Sequence, residues 1–99
     1  MIHHAVFFKL AAEVDEAKLE EIIALTCKML PQIPGVQHVR AGKNILGDAE
    51  WPFFLTVDLD SVEALEAYRI HPVHLEYVDA VVKPFTTERF ALDYDTKLA

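Results

Sequence analysis

Ile2 to Leu10 is apolar on both parities, with Ile2, Val6, Phe8 and Leu10 on one and Ala5 and Phe7 on the other, the pattern of a strand covered on both faces. Asp15 is placed to cap a helix in which Leu19, Ile22, Ile23, Thr26, Cys27 and Leu30 recur at three- and four-residue spacing, while Glu16, Lys18, Glu20, Glu21 and Lys28 fall mostly elsewhere. Pro31 to Gly35 ends that helix. Val36 to Lys43 alternates weakly and is mostly polar, which predicts an edge strand, and Asn44 to Pro52 carries turn residues. A third strand follows over Phe53 to Leu59, with Phe53, Leu55, Val57 and Leu59 on one face and Phe54, Thr56 and Asp58 on the other. Asp60 or Ser61 opens a second helical stretch, Glu63 following Asp60 at capping-box spacing, with Val62, Leu65 and Tyr68 on one face. His71-Pro72 breaks the run and restarts it, since proline suits a first helical position and not a helix interior. Val73/His74, Tyr77/Val78, Val81 and Phe85 extend the stripe, with Lys83-Pro84 as its stop. The last strand, Glu88 to Tyr94, sets Phe90, Leu92 and Tyr94 against Arg89, Ala91 and Asp93.

The order strand, helix, strand, strand, helix, strand predicts an α+β domain of ferredoxin-like βαββαβ topology. Its four strands form one antiparallel sheet with both helical segments on one face. The other face would then expose Phe7, Phe54, Phe90, Leu92 and Tyr94. An apolar area of that kind calls for a second surface, and a two-fold dimer packed sheet to sheet, helices outside, supplies it.

Composition points the same way. A chain of 99 residues has room for one domain, taken as 1–99, and buries only about two-thirds of its unfolded surface. Yet 53% of its residues are hydrophobic, against roughly 45–50% in an ordinary soluble domain. A net charge of −7 and nine scattered basic residues disfavour nucleic acid and anionic membrane as partners. Cys27, the one cysteine, can form no intramolecular disulfide or cysteine-rich metal site, and its place on the apolar stripe predicts a core position. The opening MIHHAVFFKLAAEVDE has neither a basic n-region nor a long apolar run, so the protein is expected to be soluble and cytoplasmic.

The densest chemical segment is Tyr68-Arg69-Ile70-His71-Pro72-Val73-His74, which puts a phenol and an imidazole at a helix break. A neutral imidazole titrating near pH 6.5 can take a proton while a phenol donates a hydrogen bond to developing negative charge, which is acid–base chemistry without a cofactor. His4 shares its parity with Val6 and Phe8, and Asp93 shares its with Ala91, so the first and last strands could bring the two together on the helix-facing side. Structural roles compete throughout. His71 suits the cap of the helix opened by Pro72, Tyr68 could pack with its hydroxyl on a backbone carbonyl, His74 could be a surface or core histidine, and His4–Asp93 could be a buried structural bond. His71 and His74 with His4 or Asp93 could form a two-histidine-one-carboxylate set, but His-x-x-His is unspecific and no metal is assigned. Trp51, Phe53 and Phe54 read as core, His3 and His38 as solvated strand positions, and Lys9 and Arg40 as surface charges.

Taken together, IHHAVFFKL, LPQIPGV, SVEALEAYRIHPVH and FALDYD, in that order, resemble the stress-responsive A/B barrel (Dabb) family over nearly the whole chain. The resemblance implies a ferredoxin-like chain that pairs into a dimeric α/β barrel. A polyketide-cyclising member implies more, since its cofactor-free aldol chemistry uses a tyrosine and a histidine that fall on Tyr68 and His74, with a strand-one histidine and a last-strand aspartate matched by His4 and Asp93. Phe53 stands where that enzyme has a pocket histidine, and Arg89 replaces an apolar pocket residue, free to take an anionic group or to project to solvent. The expectation is thus a cofactor-free cyclase, lyase or isomerase with His74 as general base, Tyr68 as carbonyl donor, and His4, Asp93, Phe53 and Arg89 around a small apolar substrate. The alternative is a non-catalytic stress-response or small-molecule-binding dimer, and a third reading is a monooxygenase, for which no distinctive residues appear.

Overall fold

A computed structural model describes residues 1–46 and 50–97. Strands β1 (Ile2–Leu10), β2 (Val36–Lys43), β3 (Phe53–Leu59) and β4 (Thr86–Asp95) form one sheet in the order β2-β3-β1-β4, all neighbours antiparallel. Helices α1 (Glu16–Met29), α2 (Val62–Ile70) and α3 (Pro72–Tyr77) cover one face, and α3 runs on through a π turn (Val78–Val82) into a last helical turn, α4 (Lys83–Phe85). The topology is the predicted α+β, ferredoxin-like arrangement. Gly47 to Ala49 of the predicted Asn44–Pro52 turn lie outside the described residues.

The strand parities place the core. Val6 and Phe8 of β1 and Phe53, Leu55, Val57 and Leu59 of β3 are buried under the helices, meeting Leu19, Ile22, Leu30, Leu65 and Tyr77. Phe7, Phe54, Phe90 and Tyr94 emerge on the other face, where Phe90 and Tyr94 stay about half exposed. Phe90 packs on Phe7 and Trp51 at ring separations of 6.4 and 6.1 Å, so Trp51, like Phe54, belongs to this open face and not to the core. Gly42, in register with Phe54, leaves room for that ring to lie across the strand, because a Cβ there would meet it at 2.9 Å.

Several local readings change. Asp15 caps α1 as expected, accepting from the Lys18 N–H, but Ser61 alone caps α2 through the Ala64 N–H, leaving Asp60 to the amide of Gln37. Val62 points outward. Cys27 is exposed: the stripe runs Leu19, Ile22, Thr26, Leu30, and Thr26 can turn inward because its hydroxyl donates to the Ile22 carbonyl and accepts from Tyr77. His3 is not simply solvated either, since its Nδ1 lies 2.6 Å from the buried Asp58 carboxylate, whereas His38, at 3.5 Å, remains largely exposed. The helical run outlasts Lys83-Pro84. Pro84 cannot donate to the Ala80 carbonyl and would crowd it, and the chain widens there into a π turn in which the Lys83 N–H reaches the Val78 carbonyl.

Gly35 turns the chain into β2 with φ +90°, a left-handed conformation that side chains disfavour. An added Cβ would make only ordinary contact with Ala64, at 3.6 Å. Gly35→Ala is therefore expected to cost about 1–2 kcal/mol, from the backbone alone, as measured by urea denaturation.

Candidate active site

The site begins with the helix break. Proline at 72 holds the preceding residue extended, and His71, at ψ 138°, ends α2 and caps α3 by accepting the Val73 N–H on Nδ1 at 3.1 Å. The cap role expected of His71 is thus filled, and that nitrogen is engaged by the backbone. The bend folds His74 back over the end of α2, where its Nδ1 lies 2.9 Å from the Arg69 carbonyl, one of the final carbonyls that the helix leaves unpaired. A carbonyl only accepts, so Nδ1 carries the hydrogen and Nε2 of the neutral ring is the basic nitrogen.

Beneath this corner lies a cavity of about 360 Å³, between the helices and the sheet. Its apolar wall comes from Val6, Phe8, Leu55, Val78, Val82 and Ala91, with Val78 and Val82 brought there by the π turn. Its polar groups are His4, Tyr68, Arg69, His74, Tyr77 and Arg89. The rings of Tyr68 and His74 lie 4.6 Å apart, and those of His4 and Tyr68 5.8 Å apart, edge to face. The Tyr68 hydroxyl makes no hydrogen bond within the described residues, none of which has a side-chain polar atom both sealed from solvent and unpartnered, so the hydroxyl opens on the cavity.

Behind His4 stands Asp93, its register partner on β4, with carboxylate and Nδ1 2.6 Å apart. The carboxylate accepts, which again leaves Nε2 of the neutral ring unprotonated. The other oxygen of Asp93 takes the Arg69 guanidinium at 3.4 Å. Asp93 therefore orients His4 and Arg69 from behind the wall. Phe53 is also behind it, fully buried and stacked on Phe8 at 5.2 Å, and Phe8 rather than Phe53 forms the surface there. Arg89 lines the cavity from β4, in register opposite Phe8.

The electrostatics separate the two aromatic partners. Burial pushes the Tyr68 hydroxyl well above its ordinary 10, so it stays a donor across the neutral range. Burial lowers the basicity of His74 below 6.5; the hydrogen bond to the Arg69 carbonyl counters this, and the guanidinium charges of Arg89 and Arg69, with His4 whenever it is protonated, reinforce it. Tyr77, pushed up to about 12 by burial, is held by Thr26 and serves as a fixed wall.

Sequence reasoning missed Arg69 and Tyr77. Arg69 adjoins Tyr68, but only the packing of the end of α2 over β4 pairs it with Asp93. Thr26 on an apolar stripe was the available signal for Tyr77, since a buried hydroxyl needs a partner. Among the described residues no group of three His, Cys, Asp or Glu side chains is arranged to hold a metal, and no helix is long and apolar enough to cross a membrane.

Three likenesses bear on this geometry. Olivetolic acid cyclase of Cannabis sativa is 27% identical over 96 residues, covering 94% of each chain. A dimeric ferredoxin-like protein of unknown function from Thermobifida fusca superposes with a TM-score of 0.84 at 25% identity, covering 96% of this chain and 90% of that one. A Dabb family protein from Mesorhizobium loti superposes with a TM-score of 0.83 at 23% identity over 97% and 96% of the two chains. Residues 2–96 match the profile of the stress responsive A/B barrel domain, and with the fold they carry it follows that the chain belongs to the Dabb family.

Proposed function

We propose that this chain is a cofactor-free enzyme of cyclase, lyase or isomerase type that moves a proton on the carbon beside a carbonyl of a small, largely apolar compound. The observation that carries the reading is the shared cavity of His74 and Tyr68, rings 4.6 Å apart, one held as a neutral base and the other as a donor. Nε2 of His74 takes the proton, the C–H electron pair forms the C=C bond of an enolate, and the carbonyl electron pair moves onto oxygen, where Tyr68 donates a hydrogen bond. Where a C=C bond adjoins that carbon the enolate is a dienolate, and return of the proton to its far end shifts the double bond and isomerises the compound. Attack of the enolate carbon on a second carbonyl forms a C–C bond, and the new alkoxide takes the proton back from His74. Cleavage is the reverse of that step. His4, fixed by Asp93, orients the substrate against Tyr68. A cavity of this size, apolar with a few convergent polar groups, suits a small ligand. The likeness to a cyclase supports the same class.

A non-catalytic barrel packed shut would tie the Tyr68 hydroxyl to a backbone carbonyl, and among the described residues it has no such bond. The test is proton exchange in D2O with methyl 7-oxooctanoate as a neutral ketone probe, followed by NMR. Protein-dependent loss of the signals flanking the ketone is expected, and exchange no faster than in buffer would overturn the reading.

The chain acts, on this reading, as a homodimer. The open sheet face carries Phe7, Phe54, Phe90 and Tyr94, and the chain exposes 6196 Å² against about 5,700 Å² expected for its mass. Light scattering after size exclusion should give about twice the 11.2 kDa chain mass at micromolar concentration. A stable species at the chain mass would contradict the dimer.

A further inference from the structure

Resting on the proton-transfer reading above, we infer that the substrate carries a carboxylate on its apolar body and that Arg89 binds it. Arg89 lies on the same face of β4 as Ala91 and, itself exposed to solvent, lines the open rim of the cavity that holds Tyr68 and His74. The charged groups facing this space are Arg69, Arg89 and, behind His4, Asp93, with His4 and His74 as the remaining titratable side chains beside the two tyrosines. Asp93 is engaged twice, by His4 and by Arg69. Arg89 makes no ion pair within the described residues. Counting Arg69 and Arg89 against Asp93 leaves the site one positive charge in excess, inside a chain whose net charge is −7.

A guanidinium at the rim of an apolar hollow is met best by a planar oxyanion that can present two oxygens to its fork, which a carboxylate does. The apolar wall of Val6, Phe8, Leu55, Val78 and Val82 takes the rest of the molecule. Position also fits the chemistry. The Arg89 charge is close enough to depress the basicity of His74, so a carboxylate seated on it would offset that effect while the ketone lies between His74 and Tyr68.

The experiment compares 7-oxooctanoate with its methyl ester by isothermal titration calorimetry at low salt, on the wild type, Arg89→Leu and Arg89→Lys. Wild type should prefer the acid by about ten- to hundredfold, the range for a hydrogen bond between charged groups. Arg89→Leu should bring the ratio of affinities to about one, and Arg89→Lys should give an intermediate ratio because an ammonium keeps the charge and loses the fork. Equal wild-type affinities, a preference that survives Arg89→Leu, or binding of neither compound would each overturn the inference. Exchange of the ester without an acid preference defeats the carboxylate site alone. An acid preference without exchange defeats the proton-transfer reading alone.

Discussion

His74→Gln is expected to lower protein-dependent exchange of the protons flanking the ketone by about 10²–10⁴-fold, the ordinary contribution of a positioned general base. Glutamine keeps a polar side chain of similar reach but offers no basic nitrogen, so folding should survive, and circular dichroism checks that it does. Tyr68→Phe tests the other half: loss of one donor to a developing oxyanion costs on the order of 10²–10³-fold, and the ring still fills its place against His4 and His74. Exchange that persists undiminished in His74→Gln would remove His74 from the mechanism. The pH profile is a second readout. His74 accepts a proton only when neutral, and its folded-state pKa lies below 6.5, so the acid limb should fall below pH 6.5 while the rate stays level through neutrality. The sign for stability follows. On acidification the unfolded histidine protonates first, so the contribution of His74 is lost as pH falls from 6.5 through the folded value and is constant above it.

Phe53→Ala should destabilise the fold by about 3–5 kcal/mol, read as a lower denaturant midpoint at fixed protein concentration. Phe53 is fully buried in β3 and stacked on Phe8 at a 23° interplanar angle, so its loss removes apolar contact and leaves a void behind the cavity wall. Phe53→Leu keeps an apolar body, though a smaller one, and should cost less than Phe53→Ala. A Phe53→Ala variant as stable as the wild type would show that the core collapses freely around the site, contrary to the packing described. Because Phe8 separates Phe53 from the cavity, the leucine variant should also retain ketone exchange.

Strand parity made much of this fold legible. The alternation in Phe53 to Leu59 and Phe90 to Tyr94 is a local property of the pleat, and each residue's face follows once one face is known. The juxtaposition of His4 and Asp93 was legible for the same reason, since the topology makes β1 and β4 neighbours and parity puts both side chains on the helix side. Cys27 and Thr26 were not separable, because adjacent positions on a helix stripe differ by one turn angle and the choice rests on whether a partner awaits the hydroxyl. Trp51 and His3 take places that local pattern does not encode, because their partners, Phe90 and Asp58, are far off in the chain.

By itself, then, the sequence determined the element order, the helix break at His71-Pro72, the two faces of the sheet and a short set of polar residues among apolar ones. These depend on local backbone preference and on the periods of helix and strand. Only the tertiary structure decided that Tyr68 and His74 share one cavity, that the Arg69 carbonyl selects the tautomer of His74, that Phe53 stands behind the wall and that Arg89 borders the cavity without an ion pair among the described residues. Those facts turn on the angle between two short helices and on which side chains meet across 5 to 89 positions of chain, and no local preference encodes an angle or a distant contact.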